Sequence, residues 1–211
     1  MRSNLRLLAG LVIMALAPRA GAAQAGRLFK DSWFFGAKAG NMTYWTTTTQ
    51  HGQAPIIGGE TLITRSRGGL YLSLDEAFFD GTTSIINSSG SEQVVRIKDN
   101  RRATIAAMMF PKAYGWIRPY GGIGFALNFM QTATPVGGSD ETTDLIVARQ
   151  KTASAPIFMV GTQLQLLRFS VFGQASYMPA QNSFLLNNNE TYFIEAGIRY
   201  NIGSSIERIG R

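Results

Sequence analysis

The chain has no cysteine, a single histidine, and no apolar run long enough to cross a bilayer as a helix. Without cysteine there is no disulfide framework, no thiolate metal site and no thiol nucleophile. An exported chain of this kind must draw its stability from a sizeable core, a lipid-facing surface or a partner. Segments with apolar residues at helical spacing are scarce. A concentrated basic patch is missing too. Apart from Arg65/Arg67 and Lys98/Arg101/Arg102 the basic residues are scattered, and no aromatic ladder accompanies them. Nucleic acid is therefore not an expected partner. No motif implies a cofactor or a metal.

What is present at the N-terminus points to export. Arg2 and Arg6 precede the apolar run Leu7–Ala17, and two A-x-A triplets follow, Ala20-Gly21-Ala22 and Ala23-Gln24-Ala25. The run has about half of the ~20 residues a transmembrane helix needs, the proportion of a cleavable signal peptide. The expected division is a signal peptide over residues 1–25 and one domain over 26–211. Loss of Arg2, Arg6 and Arg19 with the signal takes the basic residues from 20 to 17 against 13 acidic ones, so the formal charge falls from +7 to +4.

The exported part alternates between two kinds of side chain, and a period of two is the signature of a strand. In Pro156–Leu166, Phe158, Val160, Thr162, Leu164 and Leu166 oppose Gly161, Gln163 and Gln165. In Phe169–Tyr177, Phe169, Val171, Gly173, Ala175 and Tyr177 oppose Ser170, Phe172, Gln174 and Ser176. In Tyr192–Ile202 a tyrosine-bracketed apolar face opposes Glu195, Gly197, Arg199 and Asn201. Leu70, Leu72 and Leu74 alternate with Tyr71, Ser73 and Asp75, and Ile123, Phe125, Leu127 and Phe129 with Tyr120, Gly122, Gly124, Ala126 and Asn128. The segment from Trp33 puts Lys38 on a polar face. Arg102–Phe110 is apolar on both faces, so its orientation stays open.

Eight strands are predicted, near residues 32–47, 54–66, 70–86, 93–110, 116–131, 153–166, 169–179 and 191–204. Their connections take turns. Residues 67–69, 111–115 and 167–168 are tight, whereas 48–53, 87–92, 132–152 and 180–190 are polar and generally longer. Short turns at one end and long loops at the other describe an antiparallel up-and-down transmembrane β-barrel, and an even strand number returns the C-terminus to the side of the N-terminus.

Which face is apolar separates this barrel from a soluble, lipocalin-like one. A soluble barrel hides its large apolar residues, whereas a membrane barrel turns them outward and fills a narrow lumen with polar groups. The polar face here collects Lys38, Glu60, Asp75, Gln163, Gln165, Gln174, Glu195 and Arg199, with Tyr71, Gly122, Gly124, Gly161 and Gly197. Arg118 joins them as a candidate. Buried in a soluble core, such charges would each cost several kcal/mol unless paired. The nine polar positions are expected to form a lumen network that plugs the interior, in preference to an ion pathway, because eight strands enclose little more than side chains. Trp33, Tyr44, Trp45, Phe78, Phe79, Tyr114, Trp116, Tyr120, Tyr177 and Tyr192 fall near predicted strand ends, where two aromatic girdles belong.

Three short motifs carry a family resemblance. Arg118-Pro119-Tyr120-Gly121-Gly122-Ile123-Gly124, Ala196–Gly203 and Phe35–Gly40 resemble strands of the small OmpA/OmpX-type barrels, the last two their closing and opening strands. The resemblance implies an outer-membrane location and partners in outer-membrane lipid and lipopolysaccharide, with periplasmic chaperones and the barrel assembly machinery on the way there. No enzyme activity is expected, although lipid-modifying enzymes exist on similar barrels, and the chain offers no room for a peptidoglycan-binding domain. Such barrels often close on an aromatic residue, whereas this chain continues from Gly203 as SSIERIGR, leaving Tyr200 and Ile202 as an internal substitute.

A lipid-modifying serine hydrolase would need His51 beside a serine and an acid, with Ser88, Ser89, Ser139 and Asp140 as candidates, and no motif surrounds His51. The acidic stretch Ser139–Asp144 could offer oxygens to Ca²⁺, but it lacks the spacing of an EF-hand and is expected to be a solvated loop tip. The partner of the outer loops is not specified by sequence.

Overall fold

The structure, a computed structural model, describes residues 29–48, 51–87, 89–114, 116–138, 140–180, 184–186 and 190–204; the predicted signal peptide lies outside them. Eight strands follow one another: β1 (Ser32–Tyr44), β2 (Gly52–Arg65), β3 (Gly68–Ile86), β4 (Glu92–Met109), β5 (Ile117–Pro135), β6 (Thr152–Leu166), β7 (Phe169–Met178) and β8 (Thr191–Ser204). Each pairs antiparallel with its neighbours in sequence, and β8 pairs with β1, so the sheet is a closed up-and-down barrel.

The period of two sorts the side chains by face. On β8, Tyr192, Ile194, Ile198 and Tyr200 point outward while Phe193, Glu195 and Arg199 point inward. Ile194 is 72% exposed and Arg199 0%. That is the reverse of a soluble barrel, and it overturns the lipocalin-like alternative. The outward positions of the other strands carry Phe35, Ile57, Leu72, Ile105, Phe125 and Val160 at corresponding levels. An outward row of about five residues per strand spans the ~25 Å apolar band of a tilted transmembrane barrel. Outward charge on β3 and β4 begins only at Glu76 and Arg101.

The ends differ in construction. The β2–β3 and β6–β7 turns take two residues each, and each puts a non-glycine residue in the left-handed region, Ser66 at φ 56° and Leu167 at φ 55°. At the other end β3, β4 and β5 overshoot their neighbours: β3 pairs with β2 only as far as Ala77 yet continues to Ile86. The predicted extension of the first strand to residue 47 is corrected here. The strand stops at Tyr44, and the threonines beyond it cover the bare edge of β3 instead. Thr46 Oγ1 donates to the Thr82 carbonyl at 2.8 Å, and Ser84 N donates to Thr47 Oγ1 at 2.5 Å. Side-chain oxygens here do the work of a neighbouring strand and blunt an exposed edge.

A second correction concerns the longest loop. Residues 141–150 form α1 (Glu141–Gln150) rather than irregular chain. Asp140 is its N-cap, accepting from Thr143 N at 2.8 Å, with Glu141 and Asp144 in the first turn and Arg149 in the last. The acidic stretch considered for Ca²⁺ is thus the start of a helix, where carboxylates offset the positive end of the backbone dipole.

The aromatic girdles are real but smaller than predicted. Trp33, Phe78, Tyr114, Tyr177 and Tyr192 are exposed, and the Tyr177 and Tyr192 rings pack at a tilt with centroids 5.4 Å apart. Tyr44 and Tyr120 are buried inside the barrel, and Phe79 packs on Tyr44 at 4.8 Å.

Candidate functional site in the barrel interior

A narrow barrel can hold charged side chains only where their neighbours leave room, and the register supplies that room as glycine. Lys38 lies opposite Gly58 on β2 and Gly197 on β8; Glu60 and Arg199 both face Gly36; Asp75 faces Gly58 and Glu195 faces Gly40. Tyr120 and Gln174 both face Gly161. A Cβ on Gly161 would stand 2.5 Å from the Tyr120 ring, and one on Gly197 2.7 Å from the Phe172 ring. Both distances are far inside van der Waals contact.

The charges so accommodated form one network. Lys38 Nζ lies 3.0 Å from Asp75 Oδ1 and 2.9 Å from Glu195 Oε1. Arg102 Nη2 lies 2.8 Å from Asp75 Oδ2 and 2.9 Å from the same Glu195 oxygen. Two cations and two carboxylates therefore close a square. Tyr71 links it to a second pair, accepting from Lys38 Nζ at 2.9 Å and donating to Glu60 Oε2 at 3.0 Å. Glu60 is ion-paired with Arg199, which also donates to Gln163 Oε1 at 2.7 Å. Gln174 Nε2 donates to Glu195 Oε2 at 3.3 Å and Tyr120 OH to Gln174 Oε1 at 3.2 Å. The two guanidinium groups are stacked on rings, Arg102 over Phe193 at 3.7 Å and Arg199 over Phe172 at 3.8 Å. All eight strands contribute a side chain, and the six charges sum to zero among the described residues.

Of the nine positions read from the sequence, Lys38, Glu60, Asp75, Gln163, Gln174, Glu195 and Arg199 meet in this network. Gln165 is buried below it and donates to the Leu167 carbonyl at 2.7 Å. Arg118 stays outside it, half-buried, its guanidinium 4.4 Å above the Phe29 ring. Arg102 was missed. It follows Arg101, one arginine on each face, and a bulge between Ala77 and Asp80 shifts the pairing of the two strands just above. Asp99 takes φ 48° there and accepts from Phe79 N, so the alternation changes phase before Arg102. The useful signal was Asp75, an acid needing a base on the next strand.

The interior is less uniformly polar than predicted, which corrects the picture of a polar-filled lumen. Above the network it is lined by Met42, Ile56, Ile97 and Ile157, and the buried loop residues Phe184, Leu185 and Leu186 cap it. Leu185 N donates to the Gln150 carbonyl at 3.2 Å, which ties this cap to α1. Below the network Phe29 packs on Phe34 at 5.6 Å and on Phe110 at 4.8 Å. A charged layer sits between two apolar ones.

Among the described residues, the candidate hydrolase side chains are engaged separately. The His51 ring rests edge-on against Trp45 at 5.7 Å, Ser89 Oγ turns back to Asn87 Oδ1 at 2.7 Å, and Asp140 caps α1. Ser88 and Ser139 lie outside the described residues.

No protein-family model and no curated protein matches the sequence. Solved structures do match. Neisserial surface protein A aligns with a TM-score of 0.57 at 12% identity, over 81% of this chain and 97% of its own. The attachment invasion locus protein Ail of Yersinia pestis aligns at 0.49 and 11%, over 81% and 99%. OprG of Pseudomonas aeruginosa aligns at 0.49 and 11%, over 83% and 98%. The first of these carries the conclusion that the chain has the fold of the small eight-stranded outer-membrane barrels.

Proposed function

We propose that the protein is an integral outer-membrane barrel with a filled, non-conducting interior, and that its role is structural or interactive, exerted through the connections at the loop-bearing end. One observation carries this: the wall is apolar outward, while six inward charges cancel one another across the lumen. A solute would have to break several buried ion pairs and displace an apolar layer on either side of them. In this setting the belt meets outer-membrane lipid and lipopolysaccharide, and the chain arrives through periplasmic chaperones and the barrel assembly machinery. We assign it no reaction, since the His51 ring packs edge-on against Trp45 while Ser89 donates to Asn87 and Asp140 caps α1.

Refolding the full chain into phospholipid bilayers tests both halves. The expected results are a heat-modifiable band on gels and no stable single-channel steps in planar bilayers. A soluble, heat-insensitive protein would overturn the membrane placement. Large, regular conductance would overturn the filled interior.

A further inference from the structure

The charges of this barrel are sorted by level. The lumen network is neutral. At the loop-bearing end the connections hold Asp140, Glu141, Asp144 and Glu190 against Arg149 and Lys151. At the end with both termini the balance is reversed. Among the described residues, the lead into β1 and each of the three turns at that end carry an exposed cation, Lys30 ahead of β1, Arg65 and Arg67 at the β2–β3 turn, Lys112 between β4 and β5, and Arg168 between β6 and β7, while β8 ends there at Ser204. Two strands separate each place from the next, so the five cations ring the whole circumference. None of them is in an ion pair among the described residues, whereas Lys38, Arg96, Lys98, Arg101, Arg102 and Arg199 in the wall all are. Asp31, the acid described at this end, is engaged by Ser66 N at 3.1 Å.

Each cation also has an apolar companion at the surface. Trp33 follows Lys30, Ile63 and Leu70 flank the arginines of the β2–β3 turn, Tyr114 follows Lys112, and Leu167 precedes Arg168 at 65% exposure. A leucine held at the tip of a tight turn beside an arginine suits a place where acyl chains give way to phosphates. Amphipathic pairs of this kind mark a bilayer interface.

We propose that this basic ring binds the phosphates of anionic glycerophospholipids in the leaflet at the terminal end. The proposal rests on the membrane-barrel reading above. Geometry selects the lipid. A headgroup layer is a plane that surrounds the barrel and meets all four places at once, whereas a compact acidic protein would cover one side. The guanidinium fork of three of the five cations matches phosphate oxygens in two-point contact.

The test uses the full chain refolded in bilayers of phosphatidylcholine with a minor share of phosphatidylglycerol. Trp33 and Trp116 lie at this level, so quenching of tryptophan fluorescence by brominated phosphatidylglycerol, against brominated phosphatidylcholine, reads local enrichment. Wild type is expected to favour the anionic lipid by roughly fivefold or more, the equivalent of ~1 kcal/mol for one contacted headgroup, and to lose that preference at high salt. Combined Arg65→Gln, Arg67→Gln, Lys112→Gln and Arg168→Gln, all at exposed positions, should fold equally by gel mobility and show no preference. Glu141→Gln at the opposite end should keep it. Folded wild type quenched equally by both lipids would overturn the ring and leave the barrel standing, as would a quadruple variant that keeps the preference. Failure to fold in either bilayer would overturn the membrane reading and the ring with it.

Discussion

Arg101 and Arg102 are consecutive residues of β4 on opposite faces of one wall. Arg101 points outward and reaches Glu76 at 3.1 Å, with both side chains substantially exposed. Arg102 points inward and meets Asp75 and Glu195 with almost no exposure. Higher on the outer face, beyond the apolar belt, Asp80 receives Arg96 at 2.6 Å and Lys98 at 2.9 Å. The chemistry is the same on both faces, but the surroundings are not. Outside, water, salt and side-chain entropy compete with each pair, and such pairs contribute up to about 1 kcal/mol. Inside, each charge has lost its hydration, so removing one partner strands another. The same residue types decorate one face and hold the other together.

The sharpest way to break this contrast is to treat the two neighbours alike. Arg102→Met should cost about 3–5 kcal/mol in urea unfolding of the refolded barrel, because Asp75 and Glu195 are left to share Lys38. Arg101→Met should cost less than about 1 kcal/mol. Equal costs would erase the distinction. Leu185→Ala asks whether the inner face depends on burial as such. Loss of a fully buried leucine from the apolar cap should cost about 2–3 kcal/mol in the same assay, and an unchanged midpoint would make the cap dispensable. Gly161→Val tests the space reserved for Tyr120. Overpacking there should cost about 1–3 kcal/mol, whereas Gly173, where an added Cβ would meet open space, should accept alanine with little change.

The smallest effect belongs to the outer face. The hydrogen bonds from Arg96 and then Lys98 hold the Asp80 carboxyl well below the usual carboxylate range. A carboxylate lowered by folding stabilises fully above its unfolded value of about 3.9 and loses that contribution as pH falls below it. Asp80→Asn should therefore lower the thermal midpoint slightly at neutral pH, with the gap closing in strong acid and in high salt. A gap that persists under both conditions would show that Asp80 acts through something other than its charge.

Most of the barrel was legible because its rule is local. Alternation on β6, β7 and β8 reveals which residues face which way, and the two-residue turns bring the next strand back without ambiguity. Seven of the lumen residues followed from that rule. What escaped depends on partners far along the chain or on a break in phase. Arg102 sits just past the bulge at Asp99, where counting by twos fails. Helix α1 was hidden because its capping acids look like a ligand cluster until Thr143 N is seen to point at Asp140. Tyr44 stands near a strand end, as girdle residues do, and only the structure shows that it turns inward, whereas for Tyr120 the alternation of β5 already pointed inward.

The closing seam adds a consequence in time. Glu60 and Arg199 are 139 residues apart along the chain, and Lys38 meets Glu195 across the same seam between the first and last strands. Neither contact can reward the chain until β8 has met β1, so both form late in folding. Interactions absent from the transition state govern how fast a protein opens, with little influence on how fast it assembles. Glu60→Gln should speed unfolding in denaturant and leave the rate of insertion into bilayers unchanged; slower insertion would place the contact early. The lumen network is then a latch that sets how long the closed barrel stays closed.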